Sequence, residues 1–177
     1  MKLHKIILLS AISASGKSTY AADLALKHGY RICCADAIRE RLSNISDQSN
    51  NSEIFNRIMP EQISLWIWAG YTVVVDITSP DKKTRKKFVE IAQRLDVKIE
   101  SHYIMPDLER CKLWNEKRDR KLPEFVLDRQ LQKWLTPSID EGFSKVIEYK
   151  PIDRGGVAIL AKDGVTNAIK KQNIKDV

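Results

Sequence analysis

The feature that most constrains this chain lies near its start, where a buried strand, a turn of small residues and a helix follow one another directly. Lys5 to Ser10 (KIILLS) is a continuous apolar run, as expected of a strand covered on both faces. The turn AISASG, residues 11–16, leads into an amphipathic segment from Lys17 to His28 that ends at Gly29. A strand that runs straight into a helix predicts a βαβ unit and therefore a parallel sheet.

The rest of the chain alternates strands and helices in the same way. Further strands are predicted over 30–35, 71–77, 97–104 and 146–149, with 157–160 as an additional candidate. Helices are predicted over 36–42, 53–69, 81–95, 107–117, 124–135 and 166–172. Because helices separate the strands, the sequence predicts an α/β three-layer sandwich, with a mostly parallel five-stranded sheet and helices on both faces. No repeat or flexible linker divides the chain, so a single domain over 1–177 is expected, with 151–177 as a C-terminal extension.

Composition narrows the class of protein. Hydrophobic residues make up 43% of the chain, which is enough to bury a core and disfavours a disordered protein. No apolar run approaches the ~18 residues that a membrane span requires. The three cysteines are too few and too unevenly spaced for a disulfide framework or a metal site, and the scattered histidines form no metal cluster. We therefore expect a cytoplasmic protein with a reduced, buried Cys33–Cys34 pair.

The turn carries a phosphate-binding pattern. Residues 11–19 match G-x-x-x-x-G-K-[ST] everywhere except the first position, where Ala11 replaces glycine and restricts positive φ without removing a donor. Backbone N–H groups of such a loop surround an anion at the helix N-terminus, Lys17 reaches the β- and γ-phosphates, and Ser18 coordinates Mg²⁺. A chance turn of small residues is the alternative. The predicted ATP-binding residues of this loop are Ser13, Ala14, Ser15, Gly16, Lys17, Ser18 and Thr19.

Two acids follow the predicted strands at the sheet edge where ligands bind in open α/β sheets. Asp36 either caps the next helix or accepts a proton from a hydroxyl group. Arg39 projects from the same helix face, and its guanidinium is suited to a phosphate, so the pair is typical of a site for a phosphoryl acceptor. Asp76 ends a buried strand and is predicted either to bind the metal or, with Thr78, to help bind the acceptor.

Positive charge is concentrated in one part of the chain. Residues 81–121 hold 13 Lys and Arg against 8 Asp and Glu, whereas the whole chain has a formal charge of +7. The cluster from Lys82 to Lys87 (KKTRKK) indicates either a surface for a polyanion or a solvated helix face. The basic segment 117–121 (KRDRK) is either a mobile lid or a helix end that complements the dipole. As a lid it would bring Arg118 and Arg120 to the ATP phosphates.

The motifs ASGKST, DAIRERL, VVVDIT, LWNEKRDRKLP and TPSIDEGFSKVIEY follow one another at spacings that resemble the polynucleotide-kinase-type P-loop kinases, over about residues 3–150. The resemblance implies that Lys17 and Ser18 bind ATP phosphates and Mg²⁺. It implies that Asp36 is the general base on the acceptor 5′-hydroxyl, that Arg39 holds the acceptor 3′ phosphate and that Asp76 shapes the acceptor site. Arg118 would be the lid arginine that contacts the ATP phosphates.

The expected activity is therefore transfer of the ATP γ-phosphoryl group to a hydroxyl, foremost the 5′-OH of DNA or RNA, with Lys17, Asp36 and Arg118 as catalytic residues. A nucleoside, a hydroxymethylated base in DNA or a small metabolite are alternative acceptors. A nucleotide-dependent switch or ATPase is the alternative outside the kinases, although a switch has no use for the Asp36–Arg39 pair. The sequence contains no feature that predicts an oligomeric state.

Overall fold

The computed structural model describes residues 4–42, 51–151 and 157–160. Its sheet has six strands in the order β2-β3-β1-β4-β5-β6. The first five pair in parallel, as predicted, and β6 pairs with β5 in antiparallel orientation. The strands are β1 Lys5–Ser10, β2 Arg31–Cys34, β3 Val73–Asp76, β4 Lys98–Ile104, β5 Lys145–Pro151 and β6 Val157–Leu160.

Helices cover both faces of this sheet. They are α1 Lys17–His28, α2 Ala35–Arg41, α3 Asn51–Glu53, α4 Met59–Trp68, α5 Lys82–Arg94, α6 Leu108–Glu116 and α7 Glu124–Gln132. A π-helical turn, Ile54–Ile58, joins α3 to α4, and a short 3₁₀ turn, Ile139–Glu141, precedes β5. Within these ranges no helix is both long enough and apolar enough to cross a membrane. The α/β three-layer architecture predicted from the sequence is confirmed.

The core consists of two apolar layers because successive side chains of each strand point to opposite faces. In β1, Ile6 and Leu8 join the layer beneath α4 and α5, while Ile7 and Leu9 join the layer beneath α1. All four are at most 1% exposed. This burial on both faces is what the continuous apolar run of β1 predicted.

Two predicted helices differ from those observed. The segment predicted as one helix over 53–69 is interrupted by the π-helical turn just before Pro60, which has no N–H to continue the helical hydrogen bonds. The helix predicted to reach residue 135 ends at Gln132, because the Leu135 N–H donates instead to Pro80 O at 2.8 Å. The helix predicted over 166–172 lies outside the described residues.

Strand register brings the predicted site together. Leu9 of β1 and Cys34 of β2 both align with Asp76 at the end of β3. The phosphate loop, the start of α2 and the segment after β3 therefore all leave the sheet at the same edge. Buried Ser79 joins two of these exits, since its Oγ donates to Leu9 O at 3.0 Å.

Candidate active site

A cleft of about 440 Å³ opens at this edge of the sheet. The phosphate loop forms one wall, α2 and the segment after β3 form another, and residues from α6 to α7 close the third. Every residue predicted to bind ATP or the acceptor lines the cleft, except Asp76. These residues are Ser13, Ala14, Ser15, Gly16, Lys17, Ser18, Thr19, Asp36, Arg39, Thr78, Arg118 and Arg120.

The backbone of the phosphate loop explains why Ala11 is tolerated at the position where the pattern has glycine. The left-handed conformations fall later in the loop, at Ala14 (φ 58°) and Gly16 (φ 89°). Ala11 has no positive φ, and its side chain is 1% exposed within the layer beneath α1. The methyl group therefore packs without straining the turn. Ser15 Oγ is buried in the loop without a hydrogen-bond partner among the described residues, and so can donate to an anion in the cleft.

Gly16 is required for a second reason, which is its contact with Trp114 of α6. A Cβ at Gly16 would lie 3.0 Å from a ring carbon of Trp114, closer than carbon atoms normally approach. Trp114 is half-buried and lines the cleft. The indole thus supports the turn that leads into α1.

Asp76 lies beneath the cleft and pairs with Lys17. The Lys17 ammonium donates to Asp76 Oδ1, and the two side chains are 12% and 3% exposed. The carboxylate therefore holds the loop lysine at the base of the cleft. Whether Asp76 binds metal or acceptor stays a prediction.

Asp36 is not a helix cap. The N-cap of α2 is Cys34, and Asp36 lies inside the first turn without a capping hydrogen bond. Its carboxylate pairs instead with the guanidinium of Arg39, one turn later, as the spacing predicted. The Asp36 side chain is 75% exposed, so the cleft leaves it accessible to a ligand.

The basic segment 117–121 is held over the cleft by Asn115. This buried side chain is 2% exposed; its Nδ2 donates to Leu122 O at 2.7 Å, and its Oδ1 accepts from Leu122 N at 3.0 Å. The two bonds close a short loop that carries Arg118 and Arg120 into the cleft wall. In the described part of the chain neither arginine pairs with an acid, so both charges are available to an anionic ligand.

Four further residues line the cleft that sequence reasoning did not assign to it: Trp114, Leu122, Val126 and Gln130. Gln130 also touches the phosphate loop, because its Oε1 accepts a hydrogen bond from Ser13 N at 2.7 Å. Val126 and Gln130 are four residues apart and so share a face of α7. This spacing is the only sequence pattern that relates Val126 to Gln130, and it belongs to no motif.

The basic cluster on α5 is mostly a solvated helix face, and Arg85 does not belong to it. Arg85 is fully buried and forms a bidentate ion pair with Glu141, with N–O distances of 2.7 and 2.8 Å. Its third nitrogen donates to Ser79 O at 3.3 Å. The lysines around it are exposed, and Lys86 and Lys87 contact Glu90 and Asn56. Arg85 is therefore a structural anchor for the segment after β3 and cannot reach a polyanion.

A buried polar network supports α1 from below. His102 Nδ1 lies 3.1 Å from the hydroxyl of Tyr20 in the first part of α1, and His102 Nε2 lies 3.2 Å from Glu100 Oε2. Burial lowers the pKa of His102, which keeps the imidazole neutral. The hydrogen bond with His102, together with Lys5, lowers the pKa of Glu100 to about 2. No cluster of His, Cys, Asp or Glu in the described ranges could hold a metal ion by itself.

Comparison with known families settles the class of this fold. The family described as an AAA domain matches residues 6–137, which is most of the chain. The chain belongs to this family. A bifunctional polynucleotide phosphatase/kinase of Schizosaccharomyces pombe is 24% identical over 150 residues. The match covers 82% of this chain and 33% of that protein, so the chain spans about a third of its relative's length.

Solved structures agree on the fold. The Pnkp1/Rnl/Hen1 RNA repair complex has a chain that is 16% identical with a TM-score of 0.65, covering 75% of this chain and 44% of that chain. A gluconokinase from Sinorhizobium meliloti 1021 is 18% identical with a TM-score of 0.58, covering 85% of this chain and 84% of that chain. The predicted resemblance to the polynucleotide-kinase-type P-loop kinases is confirmed by the family match and by the polynucleotide phosphatase/kinase relative.

Proposed function

We propose that this AAA-family domain transfers the γ-phosphoryl group of ATP to the 5′-hydroxyl of a DNA or RNA strand. The observation that carries the proposal is the cleft shared by the phosphate loop and the Asp36–Arg39 pair. A carboxylate and a guanidinium facing a nucleotide site are suited to a hydroxyl that carries a phosphate nearby. The polynucleotide phosphatase/kinase relative supports a nucleic acid as the acceptor.

Asp36 is the general base in this proposal. One oxygen of its carboxylate takes the proton of the acceptor hydroxyl as the hydroxyl oxygen forms a bond to the γ-phosphorus. The bond between the γ-phosphorus and the bridging oxygen breaks at the same time, and ADP leaves. Arg39, which already pairs with Asp36, holds the acceptor phosphate and so fixes the distance of the hydroxyl from the nucleotide.

The charge on the transferring group is balanced from two sides. Lys17 approaches the β- and γ-phosphates from the base of the cleft, and Arg118 approaches from the basic segment. Ser18 Oγ at the end of the phosphate loop and the Asp76 carboxylate at the end of β3 are hard oxygen ligands, a donor set that fits Mg²⁺. These two residues would hold the ion, which supplies further neutralisation of phosphate charge.

Labelled ATP offered to a panel of acceptors tests the proposal. The panel contains 5′-OH DNA and RNA strands, free nucleosides, duplexes with hydroxymethylated bases, and sugars. Wild type should label the 5′ end of a strand, and Asp36→Asn should lower that rate by about 100-fold or more while ATP still binds. Asp23→Asn is the matched control, because Asp23 is an exposed acid on α1 that pairs with Lys27 away from the cleft.

The outcomes separate the alternatives. Labelling of nucleosides or sugars but not of strands would reject the polynucleotide acceptor and keep the kinase chemistry. ATP hydrolysis without any labelled acceptor, unaffected by Asp36→Asn, would reject the kinase proposal in favour of a nucleotide switch. If Asp23→Asn lowers the rate as much as Asp36→Asn does, the lower rate of Asp36→Asn is not evidence that Asp36 is the general base.

A further inference from the structure

Gln130 is the cleft residue to which the proposed reaction assigns no part. It lies on α7, 117 positions from the loop residue that it contacts, and it is half-buried. Its partner, the Ser13 backbone N–H, is a donor and has no acceptor atom to offer the amide. Only the Gln130 oxygen can pair with it, and the 2.7 Å contact is made by Oε1. The orientation of the amide is therefore fixed.

This orientation leaves the amide nitrogen as the free end of the side chain. Nε2 has two N–H donors, and no residue in the described ranges accepts a hydrogen bond from them. Gln130 lines the cleft, so a ligand bound there is the available acceptor. Gln130 is half-buried at the cleft wall, so its amide nitrogen can donate to a ligand in the cleft while the oxygen stays on Ser13.

The position of Gln130 indicates which ligand atoms it meets. Ser13, its tether, lies at the start of the phosphate loop, and Ser13 Oγ is 3.4 Å from Thr78 Oγ1 on the wall opposite. Gln130 therefore lies where the nucleotide wall and the acceptor wall approach each other, rather than at the far end of the loop near Ser18. In a kinase, the ligand atoms at such a junction are anionic phosphoryl oxygens.

We propose that Gln130 Nε2 donates a hydrogen bond to an anionic phosphoryl oxygen of the bound substrates, while Oε1 stays on Ser13. The oxygen belongs either to the γ-phosphoryl group of ATP or to the phosphate of the acceptor. This inference rests on the proposed function for the presence of both groups, and it makes Gln130 a residue that touches the reacting molecules.

Two substitutions separate the donor from the tether. Gln130→Glu keeps an oxygen for the Ser13 N–H and replaces both N–H donors by a second, negatively charged oxygen. Gln130→Leu removes the tether and the donor together and adds no charge. Gln132→Glu is the matched control, because it makes the same change on the same helix at an exposed residue outside the cleft.

The measurements are kcat/KM, the affinities for ADP and for a non-hydrolysable ATP analogue, and the KM of the acceptor. Gln130→Glu should lower kcat/KM by about 100-fold, and Gln132→Glu should leave it unchanged. A loss of about tenfold in affinity for the ATP analogue, with ADP unaffected, identifies the γ-phosphoryl oxygen as the acceptor atom. A rise of about tenfold in the KM of the acceptor, with both nucleotides bound normally, identifies the acceptor phosphate.

Other results overturn the inference. If Gln130→Glu keeps kcat/KM within about threefold of wild type while Gln130→Leu fails, Gln130 is only a tether for the loop. If Gln130→Glu weakens ADP, the ATP analogue and the acceptor equally, the effect is general repulsion of anions and no specific bond exists. The nucleotide measurements need no acceptor. Should wild type label no strand, the proposed function fails, and normal binding of the analogue by Gln130→Glu then overturns the inference separately.

Discussion

Arg85 and Glu141 form the ion pair whose removal should cost the fold most. The guanidinium is 0% exposed and the carboxylate side chain 7%, and the pair joins α5 to the 3₁₀ turn before β5. Glu141→Gln keeps the size of the side chain and removes its charge, which leaves the Arg85 cation buried with one acceptor fewer. We expect this substitution to destabilise the chain strongly, although no predicted substrate contact is touched.

The magnitude follows from the burial of both partners. Removing one member of a buried pair costs about 3–5 kcal/mol, because the remaining charge has lost its compensation. Domains of this size unfold with about 5–15 kcal/mol, so Glu141→Gln removes a large share of the total. With a urea slope of about 2 kcal/mol per molar, the unfolding midpoint should fall by about 2 M.

Urea unfolding followed by circular dichroism measures this loss, and a double variant tests its cause. Arg85→Met combined with Glu141→Met removes both charges and should recover most of the stability, to within about 2 kcal/mol of wild type. Glu90→Gln is the matched control. Glu90 pairs with Lys86 at 3.8 Å, with both side chains more than half exposed, so its loss should cost less than about 0.5 kcal/mol.

The reasoning would be refuted by either of two results. One is a loss below about 1 kcal/mol for Glu141→Gln, which would mean that water reaches Arg85 after the substitution. The other is a double variant as unstable as Glu141→Gln, which would assign the loss to packing or to the hydrogen bond from Arg85 to Ser79 O instead of to the uncompensated charge.

Three further predictions concern the loss of stability at low pH, the basic segment and the phosphate loop. The pKa of Glu100 is lowered from 4.5 to about 2, so the stability that it contributes is complete above pH 4.5 and is lost as the pH falls towards 2. In Glu100→Gln, the free energy of unfolding measured in urea should fall by about 3 kcal/mol less than in wild type across this pH range. An unchanged pH dependence would contradict the network around His102. Asn115→Ala removes both bonds to Leu122, at about 1 kcal/mol each, so trypsin should cleave the basic segment 117–121 about 30-fold faster; equal rates would show that Asn115 does not hold it. Ala11→Gly should bind ATP within about twofold of wild type by calorimetry and lose about 1 kcal/mol of stability, whereas tighter binding would mean that alanine strains the loop.

Local sequence patterns predicted most of the elements. The five main strands were placed to within two residues of their observed ends; β5, for example, begins one residue earlier and runs two residues further than predicted. This succeeded because hydrophobic periodicity and glycine stops act over a few residues. The same holds for the phosphate loop, whose pattern is continuous in the chain. The roles of its residues in ATP binding stay predictions.

Pairings between distant residues were not predicted. Arg85 sits in a run of lysines and was grouped with them, yet its partner lies 56 positions away. Asp36 was weighed as a helix cap because residue type suggests it, whereas the helix starts one residue earlier and Cys34 occupies the cap. In both cases the local sequence offers several acceptable environments, and long-range packing selects one of them.

The sequence alone determined the alternation of strands and helices and the turn of small residues between β1 and α1, since both depend on the backbone preferences of neighbouring residues. Only the tertiary structure decided the contacts around the cleft. Asp76 pairs with Lys17, Trp114 packs on Gly16, and Gln130 accepts a hydrogen bond from Ser13 N. The physical reason is that the pairing of strands and the packing of helices bring together residues that are far apart in the sequence. Local sequence patterns do not specify these contacts.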